Sequence, residues 1–177
     1  MDRQKLEAQL AELPLYQYDF IKTEELLFSE RVRYICQTEC PMYNTTWACP
    51  PAVGTVEECR RRVLGFDEGL LIATITEVSD ITNIRETLDT RGPHEEITRQ
   101  VQALVLEQAE QTLTLSTEAC AHCEKCTWPD APCRFPAKMF PCVESHGILV
   151  TDLAEKHGID FMAQGNIVTW FSLILYR

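Results

Sequence analysis

The stretch LLIATITEV, residues 70–78, is rich in apolar and β-branched residues and has the length of a single strand. This composition favours a buried β-strand. The stretch IVTWFSLILY, residues 167–176, has the same character and predicts a second strand. Between the two, apolar residues recur at helical spacing over about 94–112 and predict the longest helix. We therefore predict a single α+β domain over residues 1–177, in which a small antiparallel or mixed sheet packs on a long helix.

Shorter elements are expected around this core. Leucines at helical spacing predict a helix over residues 2–12, and alternating aromatic and polar residues predict a short strand at 16–20. A capping-box pattern that begins at Thr55 predicts a helix over 56–66. A further helix is predicted over 150–157, where a glycine follows the last turn.

Composition narrows the range of functions. The chain has 177 residues, and 16 Lys and Arg stand against 27 Asp and Glu, so its net charge is −11. A nucleic-acid partner is disfavoured because phosphate contacts require a basic surface. The sequence shows no secretory signal and no apolar run long enough to cross a bilayer, so we expect a cytoplasmic protein without a membrane partner. In a reducing cytosol, its 9 cysteines are expected to bind metals or serve redox chemistry.

The strongest chemical signal lies in residues 116–142, which follow neither a helical nor a strand period and are predicted to be a loop. Cys120, Cys123 and Cys126 have the spacing C-x2-C-x2-C, and Cys133 follows seven positions later. Such a run can wrap three corners of an iron–sulfur cubane, as in bacterial ferredoxins. We therefore predict a [4Fe–4S] cluster on these four cysteines. Zinc is the main alternative, although structural zinc sites usually use two separated C-x2-C pairs.

A second cysteine-rich loop is predicted over residues 36–54. Cys36, Cys40 and Cys49 fall within fourteen positions of a segment stiffened by prolines. These three thiols are predicted metal ligands that lack a fourth partner, and Trp47 is expected to shield them from water.

Three possibilities remain for the fourth coordination position of this group. Cys59 is one, but it lies on the apolar face of its predicted helix and is better explained as a core residue. Cys133 could cross over and complete the group, as the last cysteine of each run does in two-cluster ferredoxins. The third possibility is an open iron corner, which would make the protein an enzyme, with Arg31, Arg33 or Arg134 holding an anion.

The four histidines form no metal-binding spacing with one another. His122 lies inside the cysteine run and is interpreted as a loop spacer. His94, His146 and His157 are predicted to be surface or helix-cap residues.

Taken in order, these motifs resemble a family called domain of unknown function 2284. The resemblance rests on Cys36-x3-Cys40-Pro41-x-Tyr43, Trp47-x-Cys49-Pro50-Pro51, Cys120-x2-Cys123-x2-Cys126, Pro132-Cys133-Arg134-x-Pro136 and Glu144-x2-Gly147-Ile148. It implies an iron–sulfur or other metal-binding protein of the kind found in anaerobic bacteria and archaea. The cysteines of the family pattern fall on Cys36, Cys40, Cys49, Cys120, Cys123, Cys126 and Cys133. Cys59 and Cys142 fall outside that pattern.

The sequence thus predicts an iron–sulfur protein with one or two [4Fe–4S] clusters. Its expected role is electron transfer, or an accessory role in anaerobic redox metabolism, together with a redox protein partner. One alternative is an iron–sulfur enzyme with an open iron site at Cys36, Cys40 and Cys49. Another is an interaction module stabilised by zinc.

Overall fold

A four-stranded antiparallel sheet forms the centre of the molecule. A computed structural model describes residues 1–120, 122–161 and 164–177. The strands stand in the order β1-β2-β4-β3, with β1 at Gln17–Lys22, β2 at Glu68–Glu77, β3 at Thr112–Leu115 and β4 at Ile167–Tyr176. The central strands β2 and β4 pair over their whole length, from Glu68 opposite Tyr176 to Glu77 opposite Ile167.

Six helices and three single 3₁₀ turns are described around this sheet. The helices are α1 (Arg3–Leu10), α2 (Glu30–Thr38), α3 (Val56–Val63), α4 (Ile84–Asp89), α5 (Arg91–Leu106) and α6 (Val150–Lys156). The 3₁₀ turns cover Thr23–Glu25, Pro136–Lys138 and Glu144–His146. No helix in the described part of the chain is both long enough and apolar enough to span a bilayer.

The sheet is buried on both faces, which explains the nearly continuous apolar run of β2. Alternate residues of a strand point to opposite faces. Leu70 and Ile72 therefore join one core cluster with residues of α1 and α5, while Leu71 and Ala73 join a second cluster with residues of α3 and α6. This layered arrangement confirms the predicted α+β class, and the predicted alternative of a mixed sheet is wrong because every strand pair is antiparallel.

The predicted long helix is confirmed, but its end was placed too far along the chain. α5 ends at Leu106, and the polar segment after it turns into the edge strand β3. The residues Thr112–Leu115 alternate polar and apolar side chains and pair with β4. β4, the strand with which β3 pairs, lies more than fifty residues away in sequence. The local sequence pattern therefore did not reveal this pairing.

His94 and His146 were predicted to be surface or helix-cap residues, but both are buried, so this part of the prediction is wrong. His94 is 1% exposed, and its ring nitrogens lie 2.8 Å from the hydroxyl oxygens of Thr74 and Ser172. His146 is fully buried, and its Nδ1 lies 3.2 Å from the carbonyl oxygen of Cys142. For His94, hydrogen-bond partners from distant strands make this burial possible. His157 is the C-cap residue of α6, as predicted.

Candidate metal centre

Four cysteines line one cavity of about 390 Å³ beside the α6 face of the sheet. They are Cys36, Cys40, Cys49 and Cys142. The sequence predicted the first three as a group. Cys142 was not expected to be a ligand. It is the residue of this cavity that sequence reasoning missed.

Helix α2 carries Cys36 in its last turn, whereas the sequence predicted a loop there. Ser29 caps the helix by accepting a hydrogen bond from the Arg31 backbone N–H, 3.2 Å away. The Arg33 guanidinium anchors α2 by donating to the carbonyl oxygens of Gly54, at 2.7 Å, and Ser145. This guanidinium is therefore hydrogen-bonded to two backbone carbonyl groups.

Tight turns shape the rest of the first loop. The Tyr43 N–H donates to the Cys40 carbonyl oxygen at 3.1 Å, and the Asn44 N–H donates to that of Pro50 at 2.8 Å. Cys49 is buried at the end of this path. The turns bring Cys40 and Cys49 to the same cavity wall although nine positions separate them in sequence.

The thiols of the first cavity influence one another's ionisation. Burial, with a smaller contribution from the Cys40 thiolate, raises the pKa of Cys36 to about 11. Hydrogen bonding from the Cys142 thiol lowers the pKa of Cys49 to about 7. The same interaction, together with burial, raises the pKa of Cys142. Burial also raises the pKa of Cys40, although the nearby backbone N–H groups of Met42 and Tyr43 oppose this rise.

Two carboxylates complete the polar lining of the first cavity. Glu118 and Glu144 both lie on its wall. Burial raises the pKa of Glu144 to about 7, with a further contribution from the negative charge of Glu118. Apolar residues such as Ile35, Met42 and Phe161 form much of the remaining wall.

A second cavity, of about 310 Å³, is lined by the other four predicted cysteines. They are Cys120, Cys123, Cys126 and Cys133. Burial raises the pKa of Cys120, whereas the backbone N–H of His122 opposes this by donating to its sulfur. The loop is braced internally, because the Arg134 guanidinium donates to the Lys125 carbonyl oxygen and the Thr127 hydroxyl donates to that of Pro132 at 2.9 Å.

The two loops lie against each other. The rings of Trp47 and Trp128 meet edge to face, with their centroids 4.7 Å apart. The Trp47 Nε1 donates to the Ala131 carbonyl oxygen at 3.1 Å, and the Trp128 Nε1 donates to Asn44 Oδ1 at 2.9 Å. Trp47 lines the second cavity rather than the one formed by its own loop. Met42 lines both cavities, which are therefore neighbours.

Cys133 and Cys59 were the two thiols considered for the fourth position of the first loop. Cys133 lines the second cavity with the cysteines of its own loop. Cys59 is fully buried on the apolar side of α3, as predicted for a core residue. Its sulfur also lies 3.1 Å from Arg62 Nη2 and 3.6 Å from Arg33 Nη2, contacts that the helix period did not indicate.

The cysteines line the cavity walls without meeting at one point. Among residues 1–120, 122–161 and 164–177, no three Cys, His, Asp or Glu side chains lie close enough together to hold a single metal ion. Four thiolates around one zinc ion would lie only about 4 Å from one another, given Zn–S bonds near 2.3 Å. Binding of one ion would therefore require these side chains to move together.

Comparison with known proteins supports the resemblance suggested by the motifs. Neither the curated proteins nor the solved structures that were searched include a match. A scan of family models matches residues 19–176 to a family described as predicted metal-binding protein (DUF2284). The match extends from β1 to the end of β4 and includes both cysteine-lined cavities. The chain therefore belongs to the DUF2284 family of predicted metal-binding proteins.

Proposed function

We propose that the protein is an iron–sulfur protein that transfers electrons through [4Fe–4S] clusters held in its two cysteine-lined cavities. The observation that carries this proposal is the second cavity, where a C-x2-C-x2-C run and Cys133 present four thiols to one space. Thiolates are the ligands of such clusters, and hydrogen bonds to sulfur tune their potential. The backbone N–H of His122 already opposes the rise in the pKa of Cys120. In the first cavity, Cys36, Cys40 and Cys49 supply three further thiols.

The arrangement of the cavities supports an electron-transfer role. Bound clusters would supply one-electron redox chemistry. The protein would hold them side by side, because Met42 forms part of both walls. Trp47 and Met139 add bulky apolar surface to the second cavity, whose four cysteines are partly buried. The degree of solvent exposure is one of the ways in which a protein sets a cluster's potential.

The charge of the chain indicates the kind of partner. A cubane on four thiolates carries a net negative charge, so the loaded protein would be more acidic than its −11 suggests. Charge complementarity raises association rates between proteins. We infer a redox partner with a basic surface, for which the rate of electron exchange falls as salt is added. A rate that does not change with ionic strength would contradict this partner.

Metal and sulfide analysis tests the proposed function. After anaerobic purification and reconstitution, we expect about four irons and about four sulfides for each occupied cavity. Cys126→Ala should remove about four irons, because it deletes a thiol of the second cavity. A colourless protein with stoichiometric zinc would overturn the iron–sulfur proposal and favour a zinc-stabilised module.

The matched control for that substitution is Cys59→Ala. Cys59 is a fully buried cysteine on α3 and is not among the residues that line either cysteine-rich cavity. Its replacement should lower stability by roughly 1 kcal/mol through lost packing and leave the iron count unchanged. Loss of iron from this variant would show that Cys59 contributes to a metal site.

A further inference from the structure

The backbone fixes Cys142 at the base of the second cysteine loop. Ser116, directly after β3, and Cys142 form an isolated parallel bridge that joins the two ends of the loop. The Ser116 N–H donates to the Pro141 carbonyl oxygen at 2.8 Å, and the Val143 N–H donates to that of Ser116 at 2.9 Å. Cys142 therefore belongs by sequence to the second loop but is held on the edge of the sheet.

This placement points the Cys142 thiol into the first cavity. Cys142 lines that cavity together with Cys36, Cys40 and Cys49. The residue is buried, with an exposed fraction of 7%. None of these contacts depends on Cys133, which lines the neighbouring cavity.

The surroundings of the Cys142 sulfur differ from those of an ordinary core cysteine. The backbone N–H of Ser145 donates to Sγ of Cys142 at 3.2 Å. The Ser145 hydroxyl donates to the Cys142 carbonyl oxygen at 2.6 Å, and the His146 Nδ1 lies 3.2 Å from the same oxygen. The interaction with Cys49 and burial raise the pKa of Cys142, and the interaction with Ser145 opposes this rise only in part. The Ser145 N–H would remain as a hydrogen-bond donor to the sulfur once that sulfur is a metal-bound thiolate.

We propose that Cys142 is the fourth thiolate ligand of the metal group held by Cys36, Cys40 and Cys49. This inference rests on the proposed function and deepens it. On binding, each thiol releases its proton to solvent and forms one metal–sulfur bond, with no change in oxidation state. The first cavity then has four protein ligands of its own, without a thiol borrowed from the second cavity and without an open iron corner. Such closed coordination suits electron transfer rather than catalysis at iron.

The test compares the iron content of variants after anaerobic reconstitution. Cys142→Ala removes the sulfur, and Cys142→Ser keeps a side chain of similar size that can still accept from the Ser145 N–H. Cys59→Ala is the matched control, because it also removes a buried thiol. Far-UV circular dichroism of each variant verifies that the fold is kept, and the serine variant provides the answer if the alanine variant does not fold.

Two outcomes support the ligand assignment. Either Cys142 variants lose about half of the iron of the wild-type protein, or they keep it with an electron paramagnetic resonance spectrum that changes on addition of a small thiol. The second outcome follows because an iron without its cysteine accepts an external ligand. Unchanged iron content, together with a spectrum as insensitive to added thiol as that of the wild-type protein and of Cys59→Ala, would overturn the assignment.

The identity of the metal in the wild-type protein distinguishes failure of the proposed function from failure of the ligand assignment. If the wild-type protein contains zinc without iron or sulfide, the iron–sulfur proposal fails. The ligand assignment then stands if Cys142→Ser loses about one zinc per chain, and it fails if the zinc content equals that of Cys59→Ala.

Discussion

At the scale of single residues, His94 links α5 to the sheet through a buried polar network. Its ring forms hydrogen bonds with Thr74 on β2 and with Ser172 on β4. The Ser172 hydroxyl also contacts Thr98 at 2.9 Å and Ser116 at 3.1 Å. The network thus extends from the long helix to the residue that pairs with Cys142. Buried networks of this kind are stabilising only while every member keeps its partners.

Protonation of His94 should destabilise the fold. Burial lowers the pKa of His94 to about 4, compared with about 6.5 in an unfolded chain. Between these two values the unfolded state binds more protons, so stability is full above pH 6.5 and falls as the pH drops toward 4. The loss attributable to this residue between pH 7 and pH 5 is about 2 kcal/mol.

Urea denaturation of wild-type protein and His94→Gln at the two pH values checks this effect. Glutamine can form hydrogen bonds but cannot titrate. The variant should be less stable than the wild-type protein at pH 7, and its loss of stability on acidification should be smaller by about 2 kcal/mol. Equal losses in both proteins, prepared with the same metal content, would contradict the assigned role of His94.

Sequence patterns identify residues that act together when they are close in sequence, but not when they are distant. The three cysteines of the C-x2-C-x2-C motif lie within seven positions. Cys120, Cys123 and Cys126 could therefore be grouped from the sequence alone. Cys142 meets Cys49 across more than ninety positions, and His94 meets Ser172 across seventy-eight. Such contacts depend on strand pairing, which a local pattern does not specify.

At the scale of elements, the helices and strands with strong internal signals were predicted well. The β-branched runs of β2 and β4 and the capping box of α3 are present within a few residues of their predicted bounds. α2 was missed because it buries no residue fully and its last turn overlaps the cysteine-rich segment that was predicted to be a loop. It is held instead by Arg33, whose acceptors Gly54 and Ser145 lie elsewhere in the chain. The strand β3 was missed because it is only four residues long.

At the scale of the whole molecule, the core and the metal-binding loops are separate parts of the fold. Every residue of the three described hydrophobic clusters lies outside residues 36–54 and 116–142. Leu115 and Val143 flank the second loop and belong to the core cluster on the α6 face. Burial of apolar surface is the main source of folding free energy. The sheet and its helices should therefore remain folded when metal is removed.

Removal of metal should loosen the two loops selectively, and limited trypsin digestion can show this. A bound metal group ties the cysteines of each cavity together, so its loss removes constraints on segments that have little regular secondary structure. Cleavage after Lys125 and Arg134, both in the second loop, should become faster by at least tenfold in the metal-free protein. Cleavage after Arg99, within α5, should stay slow in both forms, and the far-UV circular dichroism should change little. Equal cleavage rates in the loaded and metal-free forms would contradict metal-dependent ordering of the loop. Rapid cleavage at Arg99 after metal removal would instead show that the core itself depends on the metal.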